Sequence, residues 1–229
     1  MNSGRVASRK TRQKSDFFWY NCSVNCQGFE AWLSEKRVSD VEWIECETND
    51  DWQRAETIID NAVVAPWMQS LSLEMAVSQL RTSTLLTPCR KGYWGADTIN
   101  ARAGRQRKVF APVVSTRNSY QLGVMNGDLG VVERRHPYDH IHFHQCTVPG
   151  VLLPGLEKAF ALTVHKSQGA EFDTVVVVIP PEALVDRRLL YTAMTRAKQR
   201  VPLIGRKADY LRSVESKEAR VSTLSSRLT

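Results

Sequence analysis

Thr163-Val164-His165-Lys166-Ser167-Gln168-Gly169-Ala170-Glu171-Phe172-Asp173 joins two apolar segments, Phe160–Val164 and Thr174–Ile179. Within the second, Val175 to Ile179 is apolar at every position, the pattern of a central strand covered on both faces. Arg187–Gln199 then reads as a helix and Val201–Ile204 as a closing strand. Strand, small-residue loop, strand, helix, strand is the order of an α/β fold on a parallel sheet. Gly169 permits a close turn, and small residues after a strand let backbone N–H groups approach a phosphate. Pro202 removes a ladder donor, which predicts a closing strand that is an edge or poorly paired.

Upstream, Val41–Cys46 favours a strand. From Asp51 onward, Trp52, Ala55, Ile59, Ala62, Val63 and Pro66 recur at helical spacing, with Asp50 as the expected N-cap. A second helix, Leu71–Leu80, is expected after a break at Pro66, then a strand at Thr84–Thr87 and a helix at Ala96–Ala103. Phe17–Cys22 reads as a short strand and Gly28–Arg37 as a brief helix. Val109–Thr116, Gly130–Glu133 and Ile141–Cys146 read as strands, with a turn at Asn126-Gly127-Asp128 that can supply positive φ. The expected organisation is a basic tail (1–14), the first part of an α/β domain (15–108), a β-rich insert (109–158), the second part of the α/β domain (159–212) and a polar tail (213–229).

The 31 Lys+Arg and 24 Asp+Glu give a net charge of +7, spread unevenly. Residues 1–14 carry +5, residues 15–80 carry −9, and residues 81–229 carry +11. A basic body of that kind suits a polyanion such as nucleic acid, although a solvated basic surface explains charge by itself. No apolar run approaches the roughly 18 residues of a membrane helix, so no membrane partner is expected. Five cysteines, an odd number, point to reduced thiols and a cytoplasmic protein.

The 163–173 stretch and Leu189-Leu190-Tyr191-Thr192-Ala193-Met194-Thr195-Arg196-Ala197-Lys198 together resemble motifs of superfamily 1 DNA helicases. The combination is similar to the RecD family, the alpha subunit of exodeoxyribonuclease V and its stand-alone relatives. LLTPCRKGYWGADTIN (85–100) and TRNSYQLGVMNGDLGVV (116–132) fit the same family. The GAEFD ending (169–173) argues against conjugative-relaxase and Pif-type relatives. The resemblance implies the second RecA-like helicase domain, with a small β-barrel inserted at 109–158. It implies that Thr163 and His165 contact single-stranded DNA and that Gln168, Gly169 and Glu171 face the nucleotide, Glu171 near the ribose. Arg196 would be an arginine finger, a permanently charged guanidinium that stabilises the transferring phosphoryl group. Arg117, with Arg105, Arg107 and Lys108, would make the entry to the insert basic and DNA-facing. Tyr120 reads as a core or rim residue before a base-stacking one.

None of the twelve glycines is followed by lysine, so there is no GxxxxGK[ST] phosphate loop, and no apolar strand ends in Asp-Glu to hold Mg²⁺. ATP and Mg²⁺ are therefore expected only with a partner half that supplies those groups, and the chain by itself is expected not to hydrolyse ATP. Asn2-Ser3-Gly4 resembles a point just downstream of the family's fourth motif. The expected function is the C-terminal motor portion of a RecD-like 5′–3′ helicase in recombinational DNA repair. The alternative is an inactive fragment or split-gene product that binds DNA or subunits. Implied partners are single-stranded DNA, an N-terminal helicase half, and the beta and gamma subunits of exodeoxyribonuclease V. On an extended strand His140, His142, His144 and Cys146 would share a polar face. The usual zinc spacings are absent there, and Cys22 and Cys26 read as structural thiols, so no metal site is expected.

Overall fold

The computed structural model describes residues 41–105, 109–181 and 183–215. In chain order these form β1 (Val41–Glu45), α1 (Asn49–Ile59), α2 (Ala65–Met68), α3 (Leu73–Thr82), β2 (Ser83–Thr87) and α4 (Ala96–Ala103). The insert follows with β3 (Phe110–Ser115), β4 (Leu129–Glu133), β5 (His140–Phe143), β6 (Thr147–Pro149) and β7 (Leu156–Lys158). The chain returns through β8 (Ala161–Thr163), β9 (Phe172–Val178), α5 (Arg187–Met194), β10 (Ala197–Gly205) and α6 (Lys207–Glu215). The strand and helix expected at Phe17–Cys22 and Gly28–Arg37, the basic tail, the Cys22/Cys26 pair and residues 216–229 lie outside the described residues.

Five strands make an all-parallel sheet in the order β1-β10-β9-β2-β8, and the insert's five make an antiparallel sheet in the order β6-β5-β4-β3-β7. The α/β class and the antiparallel insert are as the sequence implies. Val175 to Val178 and all of β2 are buried, because parallel crossovers leave helical segments to cover the sheet. Phe110, Ala111 and Val131 of the insert pack into the same core as Leu85, Val176 and Phe160 of the parallel sheet. The insert also has a small core of its own around Val113, Val124, Ile141 and Val148.

Four local expectations are corrected. The N-cap of α1 is Thr48, not Asp50. Thr48 Oγ1 accepts the Asp51 N–H at 3.3 Å and the Asp51 carboxylate accepts the Thr48 N–H at 2.9 Å. This reciprocal box satisfies two end donors where a single Asp50 cap would satisfy one, and T-x-x-D is its signature. Those hydrogen bonds from Thr48 hold the Asp51 carboxyl below the usual carboxylate range.

Pro66 does not break the helix. A π-helical segment, Asp60–Val64, carries α1 into α2. Pro66 lacks the N–H that would bond the carbonyl of Ala62, four residues back. Ser83 Oγ donates to that carbonyl instead, at 2.7 Å. The next helix therefore starts later than expected, at Leu73, with Ser72 accepting the Met75 N–H.

The helix expected over Arg187–Gln199 ends at Met194, and Ala197 already pairs with Phe172 of β9. Pairing with β9 outweighs the helical preference of Ala197-Lys198-Gln199, and from Val201 the strand is flanked by β1 as well. Pro202 consequently lies in an interior strand rather than an edge, opposite Glu42 of β1. The register to β9 is the same on either side of it (Arg200↔Thr174, Leu203↔Val177), so the proline does not slip the strand. The one-residue shift falls earlier, between Ala197 and Arg200.

Ser83→Ala leaves the Ala62 carbonyl without its donor. The expected loss is about 1–3 kcal/mol by urea unfolding, and Ser83→Thr should keep most of it. A Ser83→Ala midpoint equal to wild type would contradict this account of the proline.

Candidate functional site

The decisive loop starts at the end of β8. Thr163 Oγ1 accepts the Lys166 N–H at 3.3 Å, and His165–Ser167 forms a single 3-10 turn. Ser167 is fully buried and its hydroxyl donates to the Val164 carbonyl at 2.8 Å. Gly169 then takes φ +85° with open space where a Cβ would stand. Its requirement is conformational, since L side chains disfavour that region.

Strand register fixes where the two ends of the loop lie. Thr163 pairs with Thr87, and Leu86 pairs with Val177. Thr163 is therefore level with Val178, at the carboxyl edge of the sheet. Phe172 opens β9 at the amino edge, six residues lower, about 20 Å at the strand rise. One short loop thus spans the sheet from edge to edge.

Arg196 belongs at the amino edge too. Asp186 caps α5 by accepting the Leu189 N–H at 2.6 Å, and the helix ends just before Arg196. The Arg196 carbonyl accepts the Phe172 N–H at 2.9 Å, and its Nε donates to the Thr192 carbonyl at 3.2 Å. That second bond aims the guanidinium and leaves its two terminal nitrogens for a ligand. Gln168, Gly169, Glu171 and Arg196, the four expected nucleotide-facing residues, all line one cleft of about 740 Å³. Glu171 and Lys198 pair across it at 3.5 Å, both well exposed, which is worth little energetically. Lys198 stands on β10 rather than on a helix.

The cleft's opposite wall has no signature in the sequence. Arg81 at the end of α3, the 126–129 turn and residues 142–145 of the insert supply it. Behind that wall His142 Nε2 lies 2.9 Å from Glu133, whose carboxylate also takes Arg135 Nε at 2.8 Å. An ionised Glu133 requires the proton on Nε2, and the other ring nitrogen, Nδ1, lies 3.0 Å from Thr147 Oγ1. Burial pushes the Glu133 carboxyl up, but hydrogen bonds from His142 and Arg135, with their charge, outweigh it and hold it low.

The expected DNA-facing residues are not gathered in one place. Thr163 lines a narrow crevice at the opposite edge with Arg90, Asn100 and Lys166. Beside it Glu157 bridges Lys166 at 2.5 Å and Arg90 at 3.2 Å, and Arg90 also holds Asp97. His165 is exposed. Arg117 is exposed on the insert, its side chain packed against Gly155, and lines neither cavity. Tyr120 is 76% exposed, a rim residue.

β5 ends at Phe143, so His144 and Cys146 do not extend the face of His140 and His142. A turn closes on that point, the Phe143 N–H donating to the Cys146 carbonyl at 2.8 Å. Among the described residues no group of three or more His, Cys, Asp or Glu side chains has metal-binding geometry, Cys46, Cys89 and Cys146 are free, and no helix is long and apolar enough to cross a membrane.

Residues 158–204, which hold both motifs, match the UvrD-like helicase C-terminal domain. The chain is 33% identical over 168 residues to the RecBCD enzyme subunit RecD of Mycolicibacterium smegmatis, covering 67% of this chain and 30% of that one. It is 30% identical over 164 residues to the ATP-dependent RecD2 DNA helicase of Deinococcus radiodurans, covering 63% of this chain and 23% of that one. The chain is a RecD-like superfamily 1 helicase C-terminal region. It thus spans less than a third of the length of these RecD relatives. A solved structure of Pif1 helicase from Bacteroides with ADP-AlF3 and single-stranded DNA is also similar, at 16% identity and TM-score 0.45, over 92% of this chain and 53% of that one.

The Glu133 cluster makes this RecD-like region acid-sensitive. A carboxyl held low in the folded state stabilises it fully above the ordinary Glu value, near pH 4.3, and loses that contribution as pH falls through the lower folded value. Glu133→Gln is expected to flatten the acid limb of a stability–pH curve below about pH 4.5. A limb as steep as wild type would remove Glu133 from the account.

Proposed function

We propose that this chain is the C-terminal motor portion of a RecD-like ATP-dependent 5′–3′ DNA helicase, an exodeoxyribonuclease V alpha chain acting in recombinational repair. The observation that carries the reading is the loop's two-sided placement. Gln168, Gly169 and Glu171 share a cleft with Arg196 at one edge of the sheet, while Thr163 stands at the other. Glu171 receives the ribose hydroxyls and Arg196 the γ-phosphoryl charge as it develops. Thr163 and His165 hold the DNA backbone, and Arg117 adds a cation on the insert. Movement of one loop then alters nucleotide and DNA contacts together.

The cleft offers cations and hydrogen-bond donors but no phosphate loop and no acid cluster for Mg²⁺. ATP with Mg²⁺ therefore binds between this chain and a Walker A-bearing half, from the same gene or a separate chain. Single-stranded DNA and the beta and gamma subunits of exodeoxyribonuclease V are the remaining partners. The second reading, a fragment that binds DNA or subunits without catalysis, is favoured by the missing Gly-Lys pair.

The test joins this chain to a Walker A-bearing half and measures DNA-stimulated ATP hydrolysis. The assembly should turn over ATP, and Arg196→Ala should reduce turnover about 10³-fold or more with nucleotide affinity little changed. Unchanged turnover in Arg196→Ala removes the finger role. No turnover in the wild-type assembly supports the second reading.

A further inference from the structure

We propose that a second cavity, at the carboxyl edge of β2, β9 and β10, is a pocket for one nucleobase of the bound DNA strand. This rests on the reading that places DNA at that edge through Thr163 and His165, and nothing in the helicase motifs assigns it.

The cavity measures about 680 Å³, within the range of small-ligand sites. Its position follows from topology. The Cys89–Gly95 turn leaves β2, Pro180 and Pro181 leave β9, Arg206 leaves β10, and the first turns of α1 close the remaining side. Crevices at the carboxyl ends of parallel strands are where open α/β sheets take ligands. β2 is also the neighbour of β8, with Thr87 level with Thr163, so the pocket opens one to two strand spacings from Thr163, about 5–10 Å.

Its walls suit a flat ring. Thr87 Oγ1 donates to the Trp94 carbonyl at 2.9 Å, which folds the turn back over the sheet. Gly95 allows this, because a Cβ there would stand 2.5 Å from the Lys91 carbonyl, and Gly92 takes φ +96°. The turn packs Trp94 against Trp52, centroids 4.8 Å apart and tilted by 41°, and leaves Tyr93 62% exposed, edge-on to Trp94. Tyr93 is held rigidly, donating to Glu56 at 2.7 Å with the Arg102 guanidinium 4.9 Å from its ring centroid. Arg102 and Glu56 are themselves ion-paired. A fixed, exposed aromatic ring beside buried indoles is a stacking platform that accepts any base.

Polar groups on the same wall complete the fit. Trp52 is 9% exposed, and its indole N–H has no acceptor. Arg206 Nε is likewise buried without an acceptor. Both atoms are sealed from the cavity as well as from solvent, so neither is offered to a ligand. Lys91 and Arg206 instead bring two positive charges, with no carboxylate partner recorded for either among the described residues. An aromatic floor with a cationic rim fits a nucleotide unit, from a strand or free in solution.

The experiment measures binding of the whole chain to two fluorescent twelve-nucleotide probes, oligothymidylate and a fully abasic strand of equal charge. Thymidine monophosphate serves as competitor. Wild type should bind oligothymidylate about tenfold or more tightly than the abasic strand. Tyr93→Ala and the milder Tyr93→Leu should abolish that preference and leave abasic binding unchanged. The Thr163→Val/His165→Ala double variant should weaken both probes equally. Loss of binding in the double variant with the preference intact in Tyr93→Ala overturns the pocket and spares the DNA reading. No binding of either probe by wild type overturns both. Tyr93-dependent binding of thymidine monophosphate without any preference for oligothymidylate overturns the strand assignment in favour of a free nucleotide.

Discussion

A single backbone hydrogen bond, from the Phe172 N–H to the Arg196 carbonyl at 2.9 Å, holds the two helicase motifs in one frame. It starts the β9–β10 ladder, so the loop before β9 and the turn before β10 emerge side by side at the amino edge. Everything in the 740 Å³ cleft depends on that stitch. Gly169 and Glu171 hang from one side of it, and Arg196 from the other. The remaining freedom of Arg196 is reduced by its own Nε bond to Thr192, which preorganises the guanidinium.

The parallel sheet supplies the second constraint. β8 and β9 run the same way, so a chain leaving the top of one must travel the height of the sheet to enter the other. A helical crossover usually does this. Here eight residues, Val164 to Glu171, suffice, because β2 alone separates the two strands. The loop makes one 3-10 turn on the way, closed by the buried Ser167 hydroxyl on the Val164 carbonyl. A short connection with one end at each edge gives the proposed nucleotide and DNA contacts a common element.

Much of this was legible beforehand, and the exceptions have specific causes. The Val175–Ile179 run, the Ala96–Ala103 helix and the turn at Gly127 were readable because local pattern and tertiary structure agree there. Asp50 resembles a cap because it directly precedes the periodic run, whereas the T-x-x-D box starting at Thr48 satisfies two donors and prevails. Pro66 reads locally as a break because its remedy, the Ser83 hydroxyl on the Ala62 carbonyl, comes from 21 residues away. Ala197 to Gln199 read locally as the end of a helix because their strand pairing is non-local. The residues proposed to face nucleotide are named by their resemblance to RecD, but the insert's share of the cleft wall is invisible in the sequence. No spacing in the sequence announces that residues 126–129 and 142–145 come to face Gly169.

The central claim is that one loop faces nucleotide at one end and DNA at the other. Site-specific photocrosslinking in the assembly with a Walker A-bearing half tests it most directly. A crosslinker at position 171 should capture ATP and not DNA, and one at position 165 should capture DNA and not ATP. Capture of both ligands from both positions, or the reverse pairing, would contradict the account.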